Sequence, residues 1–259
     1  MKDVFGVTLV SLQQDMGRVD RIAQNLANAS TPGYKREVAT VRPFAEAVDA
    51  ARAAGERAPV GLAGAVDATA GLQVLTDARP GTLRMTGQPL DVALEGDGFF
   101  EVETPAGPAY TRQGDFRVDA SGRLVTAAGN PVMGLNGPIQ LTTTTPVIDA
   151  AGRITEPRAT STLTAAGQPV GQLKVVRFEH PGALPRLGAG LLAGGPGMTV
   201  VPEGGAQVRQ GALENSNVSA MHELVELMQA MRHFESMTRV AQGYDELLGN
   251  AIRKLGDLS

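Results

Sequence analysis

The sequence predicts an α+β fold in which long N- and C-terminal helices form a coiled-coil domain, with a mainly antiparallel β domain between them. Three observations predict it. Apolar residues near both ends recur at alternating steps of three and four, the spacing of a heptad seam. The middle of the chain breaks into short β-like runs separated by glycine turns. Its 32 Gly and 16 Pro follow no collagen-like period, so they read as turn punctuation in a β protein.

The N-terminal helix occupies residues 1–34 with its closing turn. Phe5, Leu9, Leu12, Met16, Val19, Ala23 and Leu26 succeed one another at steps of 4, 3, 4, 3, 4 and 3. Polar residues, among them Gln13, Gln14, Arg18 and Asp20, fill the other faces. The helix is expected to stop near Asn28, because Pro32 disfavours helical geometry at Thr31 and Gly33 permits a turn.

Residues 35–73 form a connector, extended or partly helical, with an Ala-rich stretch from 44 to 57. The β domain follows at 74–208. Within it, 91–94 and 99–103 flank Glu95-Gly96-Asp97-Gly98 and read as a hairpin, and 116–119 with 123–126 read as a second. The run from Val118 to Leu124 is echoed from Ile148 to Ile154, and that from Thr126 to Val132 from Thr164 to Val170. Shared turn chemistry explains the echoes as well as a built-in structural repeat does.

The C-terminal helix belongs to residues 209–259. Leu224, Leu227, Met231, Phe234, Thr238, Ala241, Asp245, Leu248, Ile252 and Leu255 repeat the same spacing, with Thr238 and Asp245 weakening it. Such a helix would be about 60 Å long, at about 1.5 Å per residue. That outruns a small β body, so pairing of the two ends, with further helices from neighbouring copies, accounts for it better than packing on the body alone.

Composition narrows the function classes. A net charge of -4 disfavours nucleic acid as a partner, since phosphate contacts need clustered Lys and Arg. Without cysteine there is no disulfide, thiolate metal site or Cys nucleophile. The N-terminus lacks the apolar core and cleavage site of a secretory signal peptide, and no stretch approaches the roughly 18 apolar residues of a transmembrane helix. Asp91, Glu95, Asp97, Glu101 and Glu103 make an acidic cluster that reads as solvated surface, without calcium-loop spacing. His180, His222 and His233 are not placed to share a zinc ion. The glycine-rich stretches near 188–197 lack the Lys-Ser/Thr of a phosphate loop, and no Gly-x-Ser-x-Gly elbow occurs. No catalytic, cofactor or metal residue is predicted, and the expectation is a non-enzymatic assembly subunit. The predicted assembly residues are Leu9, Leu12, Met16, Val19, Leu26, Leu224, Leu227, Met231, Phe234, Leu248 and Ile252.

Three stretches resemble the axial proteins of the bacterial flagellum, the rod and hook subunits. They are Asn25-Leu26-Ala27-Asn28-Ala29-Ser30-Thr31-Pro32-Gly33-Tyr34-Lys35, then Pro89 to Phe100 with Tyr110-Thr111-Arg112-Gln113-Gly114-Asp115-Phe116, and Gln210-Gly211-Ala212-Leu213-Glu214-Asn215-Ser216-Asn217-Val218. They fall in the family's order. The resemblance implies a structural subunit of the basal-body rod that polymerises helically through its terminal helices into part of the periplasmic drive shaft. Its implied partners are copies of itself, other rod subunits and the flagellar type III export apparatus, with no cleaved signal peptide. Gly137-Pro138-Ile139 and Val170-Gly171-Gln172-Leu173-Lys174 bring it nearest the proximal rod type. A distal rod type, or a cell-wall-binding β module oligomerised by its helices, remains the alternative.

Overall fold

The computed structural model describes the backbone of residues 2–41, 72–157, 169–202 and 204–256. The Ala-rich stretch 44–57 and most of the echo at 164–170 lie outside the described residues, as do the side chains of Leu9, Asp245, Leu248 and Ile252. The chain divides into two units.

The first unit holds α1 (Lys2–Ala27), β1 (Glu37–Val41), β2 (Leu72–Thr76) and α2 (Ala220–Gly256), with β1 and β2 paired as a two-stranded ribbon. Glu223 in the first turn of α2 suits the positive end of the helix dipole. The described residues correct the expected fold class. They are mostly β, with nineteen strands against two α-helices, and the helices do not form a coiled-coil domain. In a coiled coil the apolar seam of each helix fills holes in the other. Here Met16, Leu224, Met231 and Phe234 stay 36–59% exposed. The buried positions are Asp15, Ile22 and Asn25 on α1 and Glu223 and Ala230 on α2. On α2 these lie one residue before Leu224 and Met231, so the buried line runs beside the apolar seam. Polar pairing explains the offset. Asn25 Nδ2 donates to Glu223 Oε2 at 3.3 Å, Arg18 Nη2 to Glu226 Oε2 at 2.5 Å, and His233 Nδ1 lies 2.6 Å from Asp15 Oδ2. Heptad spacing identifies an apolar stripe but carries no information about these cross-helix polar contacts.

The second unit comprises residues 28–36 and 76–218. Its strands are β3 (Leu83–Met85), β4 (Val92–Glu95), β5 (Phe99–Thr104), β6 (Gly107–Thr111), β7 (Arg117–Val118), β8 (Leu124–Val125), β9 (Met133–Gly134) and β10 (Gly137–Pro138). They continue with β11 (Val147–Ile148), β12 (Arg153–Thr155), β13 (Pro169–Gln172), β14 (Val175–Arg177), β15 (Arg186–Gly188), β16 (Leu191–Ala193) and β17 (Thr199–Val200). The last two are β18 (Gln207–Gln210) and β19 (Ala212–Glu214). A six-stranded sheet in the order β15-β16-β6-β5-β14-β17 forms its centre. Successive residues of a strand face opposite sides, and here both sides are covered. Phe100, Val102, Ala109, Val175 and Leu191 enter one apolar cluster; Phe99, Tyr110, Val176 and Leu192 enter another with Phe178 and Leu184.

The expected hairpin of 91–94 with 99–103 does not form. β4 pairs with β18, and β5 pairs with β6 and β14. Gly96 (φ +88°) and Gly98 (φ +144°) turn the chain through a corner where the sequence suggests a simple reversal. The second expected hairpin forms as β7–β8, with Val118 opposite Leu124. The acidic cluster also departs from solvated surface at one position: Glu101 is buried and accepts from Lys174 Nζ at 2.7 Å.

The first echo is a geometric repeat. Asp119 Oδ1 accepts from the amides of Ser121 and Arg123, and its Oδ2 accepts from Arg123 Nε. Asp149 does the same with Ala151 and Arg153. Gly122 and Gly152 both take positive φ, at +81° and +77°.

Candidate assembly surface

The described residues of the first unit form an apolar groove. Met16, Val19, Met231 and Phe234 line it, with Asp20 and Glu235 at its rim, and its volume is about 440 Å³. Four of the predicted assembly residues thus come together. Of the others, Leu12, Leu26 and Leu227 are half-buried and Leu224 is exposed, outside the groove. Met228, three residues before Met231 on α2, is 53% exposed. Exposed apolar side chains gathered in one groove are uncommon on the surface of a monomer. Asn25, only 1% exposed, is gripped by β1: its Nδ2 donates to Glu37 O at 2.9 Å and its Oδ1 accepts from Glu37 N at 2.8 Å.

The remaining motif residues meet in the second unit. The segment 28–36 is a turn in which Thr31 N donates to Asn28 O and Tyr34 N to Thr31 O. Thr31 Oγ1 also bonds Asn28 Oδ1 at 3.1 Å, and Pro32 is half-buried beside them. Gly33 has φ +66° and donates to Glu214 O at 2.7 Å; a Cβ there would stand 2.4 Å from the carbonyl carbon of Arg112. Only glycine fits both the conformation and the space. Asn217 ties three segments together. Its Oδ1 accepts from Arg36 N at 2.7 Å, its Nδ2 donates to Asp77 O and Arg79 O, and its amide donates to Tyr34 O. Ser216 Oγ accepts from Val218 N, and Gly211 (φ +72°) donates to Asp91 O. Leu213 and Val218 are buried; Ser30 and, at the end of α1, Ala27 are exposed.

At the centre of this turn sits a buried charge cluster. Glu214 Oε1 accepts from Lys35 Nζ at 2.5 Å and from Gly81 N at 2.8 Å. Arg112 Nη1 lies 3.5 Å from Glu214 Oε2, an ion pair without a hydrogen bond, so Oε2 has no hydrogen-bond partner. The three side chains are each 3% exposed or less. Arg112 also donates to the carbonyls of Leu94 and Gly96, and Lys35 Nζ donates to Arg79 O at 2.8 Å. Burial lowers the Lys35 pKa, opposed by the adjacent Glu214 carboxylate, and burial likewise lowers that of Arg112.

Sequence reasoning places Lys35, Arg112 and Glu214 in family stretches and Glu223 at the positive end of a helix dipole, but it predicts no buried pairing for these residues or for Asp15 and His233. A charged residue inside a motif looks alike whether it is buried or solvated, and only the partner's position, here 179 residues away for Lys35 and Glu214, distinguishes the two. Among the described residues no group of His, Cys, Asp and Glu is placed to hold a metal ion, and no helix is long and apolar enough to cross a membrane. The arrangement fits packing and pairing surfaces.

Comparison with known proteins agrees with this geometry. The family model of the flagellar hook protein FlgE/F/G D1 domain matches residues 93–165, and that of the flagellar basal body rod FlgEFG protein C-terminal region matches 209–254. The chain is 31% identical over 249 residues to the flagellar basal-body rod protein FlgG of Bacillus subtilis, covering 91% of this chain and 92% of the relative. It is 31% identical over 265 residues to FlgF of Mesorhizobium japonicum, covering all of both chains. With FlgF of Escherichia coli it shares 32% identity over 241 residues, 90% of each. On this similarity over nearly its whole length, the chain belongs to the flagellar basal-body rod protein family, whose members are structural subunits of the flagellar basal body.

Proposed function

We propose that this rod subunit polymerises helically with copies of itself and with other rod subunits through the exposed apolar face of α1 and α2, as part of the periplasmic drive shaft. The groove formed by Met16, Val19, Met231 and Phe234 carries the reading. Burying such a face contributes about 25 cal/mol per Å2 of apolar area, before the entropy lost on association. Repeated contacts between different patches of identical subunits propagate as a filament and do not close. The subunit acts by packing and not by catalysis. It reaches the rod through the flagellum's own export apparatus.

Its type within the rod is proximal, supported by the resemblance at 137–139 and 170–174. The similar proteins carry both FlgG and FlgF names at equal identity.

The test replaces Phe234 with Asp in cells whose own copy of the gene is deleted. Phe234 is 36% exposed, so the subunit itself should still fold. Basal bodies isolated from these cells should lack complete rods, and the cells should not swim. Normal rods and normal swimming would refute the assignment of this face.

A further inference from the structure

We propose that Met16 and Met231 form an oxidation site through which a peroxide disables the α1–α2 face. The proposal rests on the reading of that face as the assembly surface. With nine Met and no Cys, the thioethers are the most readily oxidised side chains of the chain. Met16 is 59% and Met231 53% exposed, and both line the same groove, one from each helix. A peroxide reaches both sulfurs without any unfolding.

The chemistry balances with hydrogen peroxide as oxidant. A sulfur lone pair attacks one peroxide oxygen, an S–O bond forms and the O–O bond breaks. Sulfur loses two electrons, hydroxide leaves with them, and the proton of the transferred oxygen passes to that hydroxide to give water. The product places a strong hydrogen-bond acceptor where the groove presents a soft, adaptable apolar atom. When a partner covers the groove, that acceptor is buried without a donor. An unsatisfied buried acceptor of this kind lowers association by about tenfold or more at each site.

Other exposed methionines make internal controls. Met85 (67%) and Met198 (44%) belong to the second unit, and Met221 (75%) lies on α2 outside the groove. All three should oxidise while leaving assembly intact.

The experiment has two arms. In the first, the purified full-length chain is treated with hydrogen peroxide and its peptides are weighed. Addition of one oxygen at Met16 and Met231 at rates similar to that at Met221 is expected; conversion of Met221 with both groove residues untouched would overturn the proposal. In the second, cells lacking the native gene receive Met16→Gln/Met231→Gln, a polar mimic, or Met16→Leu/Met231→Leu, or Met85→Gln/Met198→Gln. Complete rods should fall by about tenfold or more with the first pair alone. Circular dichroism of each purified variant separates lost assembly from lost folding. Normal rod numbers with the folded Gln pair would overturn the oxidation site. Phe234→Asp in parallel keeps the two readings apart. If it abolishes rods while the Gln pair does not, oxidation fails and the assembly face stands; if Phe234→Asp makes normal rods, the face itself is wrong.

Discussion

Replacing Glu214 with Gln tests the buried cluster of the second unit most directly. The amide keeps the size of the carboxylate, so packing is retained while the charge is removed. Lys35 and Arg112 are then left as two buried cations without a counter-ion. One amide oxygen can still accept from Gly81 N or Lys35 Nζ, but the NH2 group then faces a donor, since the three groups on the carboxylate oxygens are all N–H donors. Removing one partner of a buried pair costs about 3–5 kcal/mol, and full burial here leaves no solvent screening to reduce it. Lys35→Met should cost less, below about 3 kcal/mol, because Glu214 retains Arg112 and the Gly81 amide. The order of the two variants is therefore the informative result. Urea unfolding of the purified chain, followed by near-UV circular dichroism of tyrosine, reads it out; Tyr34 and Tyr110 are both buried in the second unit. A loss under about 1 kcal/mol for Glu214→Gln, or a larger loss for Lys35→Met, would refute the account of the cluster as two cations held by one carboxylate.

Three further outcomes follow from the same structure. Burial lowers the folded pKa of Lys35 below its ordinary 10.5, so between the two values the unfolded chain binds the extra proton and stability rises with pH; urea midpoints at alkaline pH should show this rise in the native chain and not in Lys35→Met. Asp119 titrates at about 2, held down first by the Ser121 hydroxyl and then by the Arg123 amide, so its contribution to stability is present above 3.8 and is lost as pH falls toward 2. Carboxyl NMR should show Ser121→Ala, which makes this turn match that of Asp149 with its Ala151, moving Asp119 upward; an unmoved midpoint would contradict this. Gly33→Ala combines a left-handed backbone worth about 1–2 kcal/mol with overpacking of about 1–3 kcal/mol against the Arg112 backbone, so thermal unfolding should drop by several degrees; an unchanged midpoint would count against the close approach.

Much of this was readable from residues alone, and the limits have physical causes. Terminal helices and the β7–β8 hairpin follow from periodicity and an Asp-x-x-Gly-type turn. The corner at Gly96 and Gly98 does not, because glycine permits a reversal and a bend equally, and the choice is made by β18 and β14 from far along the chain. The coiled-coil expectation fails for a related reason. Apolar spacing showed where a stripe lies, but Asn25, Glu223, Asp15 and His233 decide which line is buried, and their pairing spans about 200 residues. At the candidate site, the apolar groove was legible as a stripe of four residues. The buried charges were not, since Lys35 and Arg112 look like any solvated cation until Glu214 is placed between them.

The contact of Lys35 with Glu214 also imposes an order in time. A chain delivered N-terminus first, by a ribosome or through a narrow channel, presents residue 35 long before residue 214. Until the later residue emerges, Lys35 has no carboxylate to accompany it into an apolar interior, and its ammonium stays in water. Gly33 waits for the same residue, since its amide bonds the carbonyl of Glu214. The turn at 28–36 therefore closes only when about four-fifths of the chain has appeared. A fold that cannot lock early leaves its leading segment extended and threadable for as long as delivery continues.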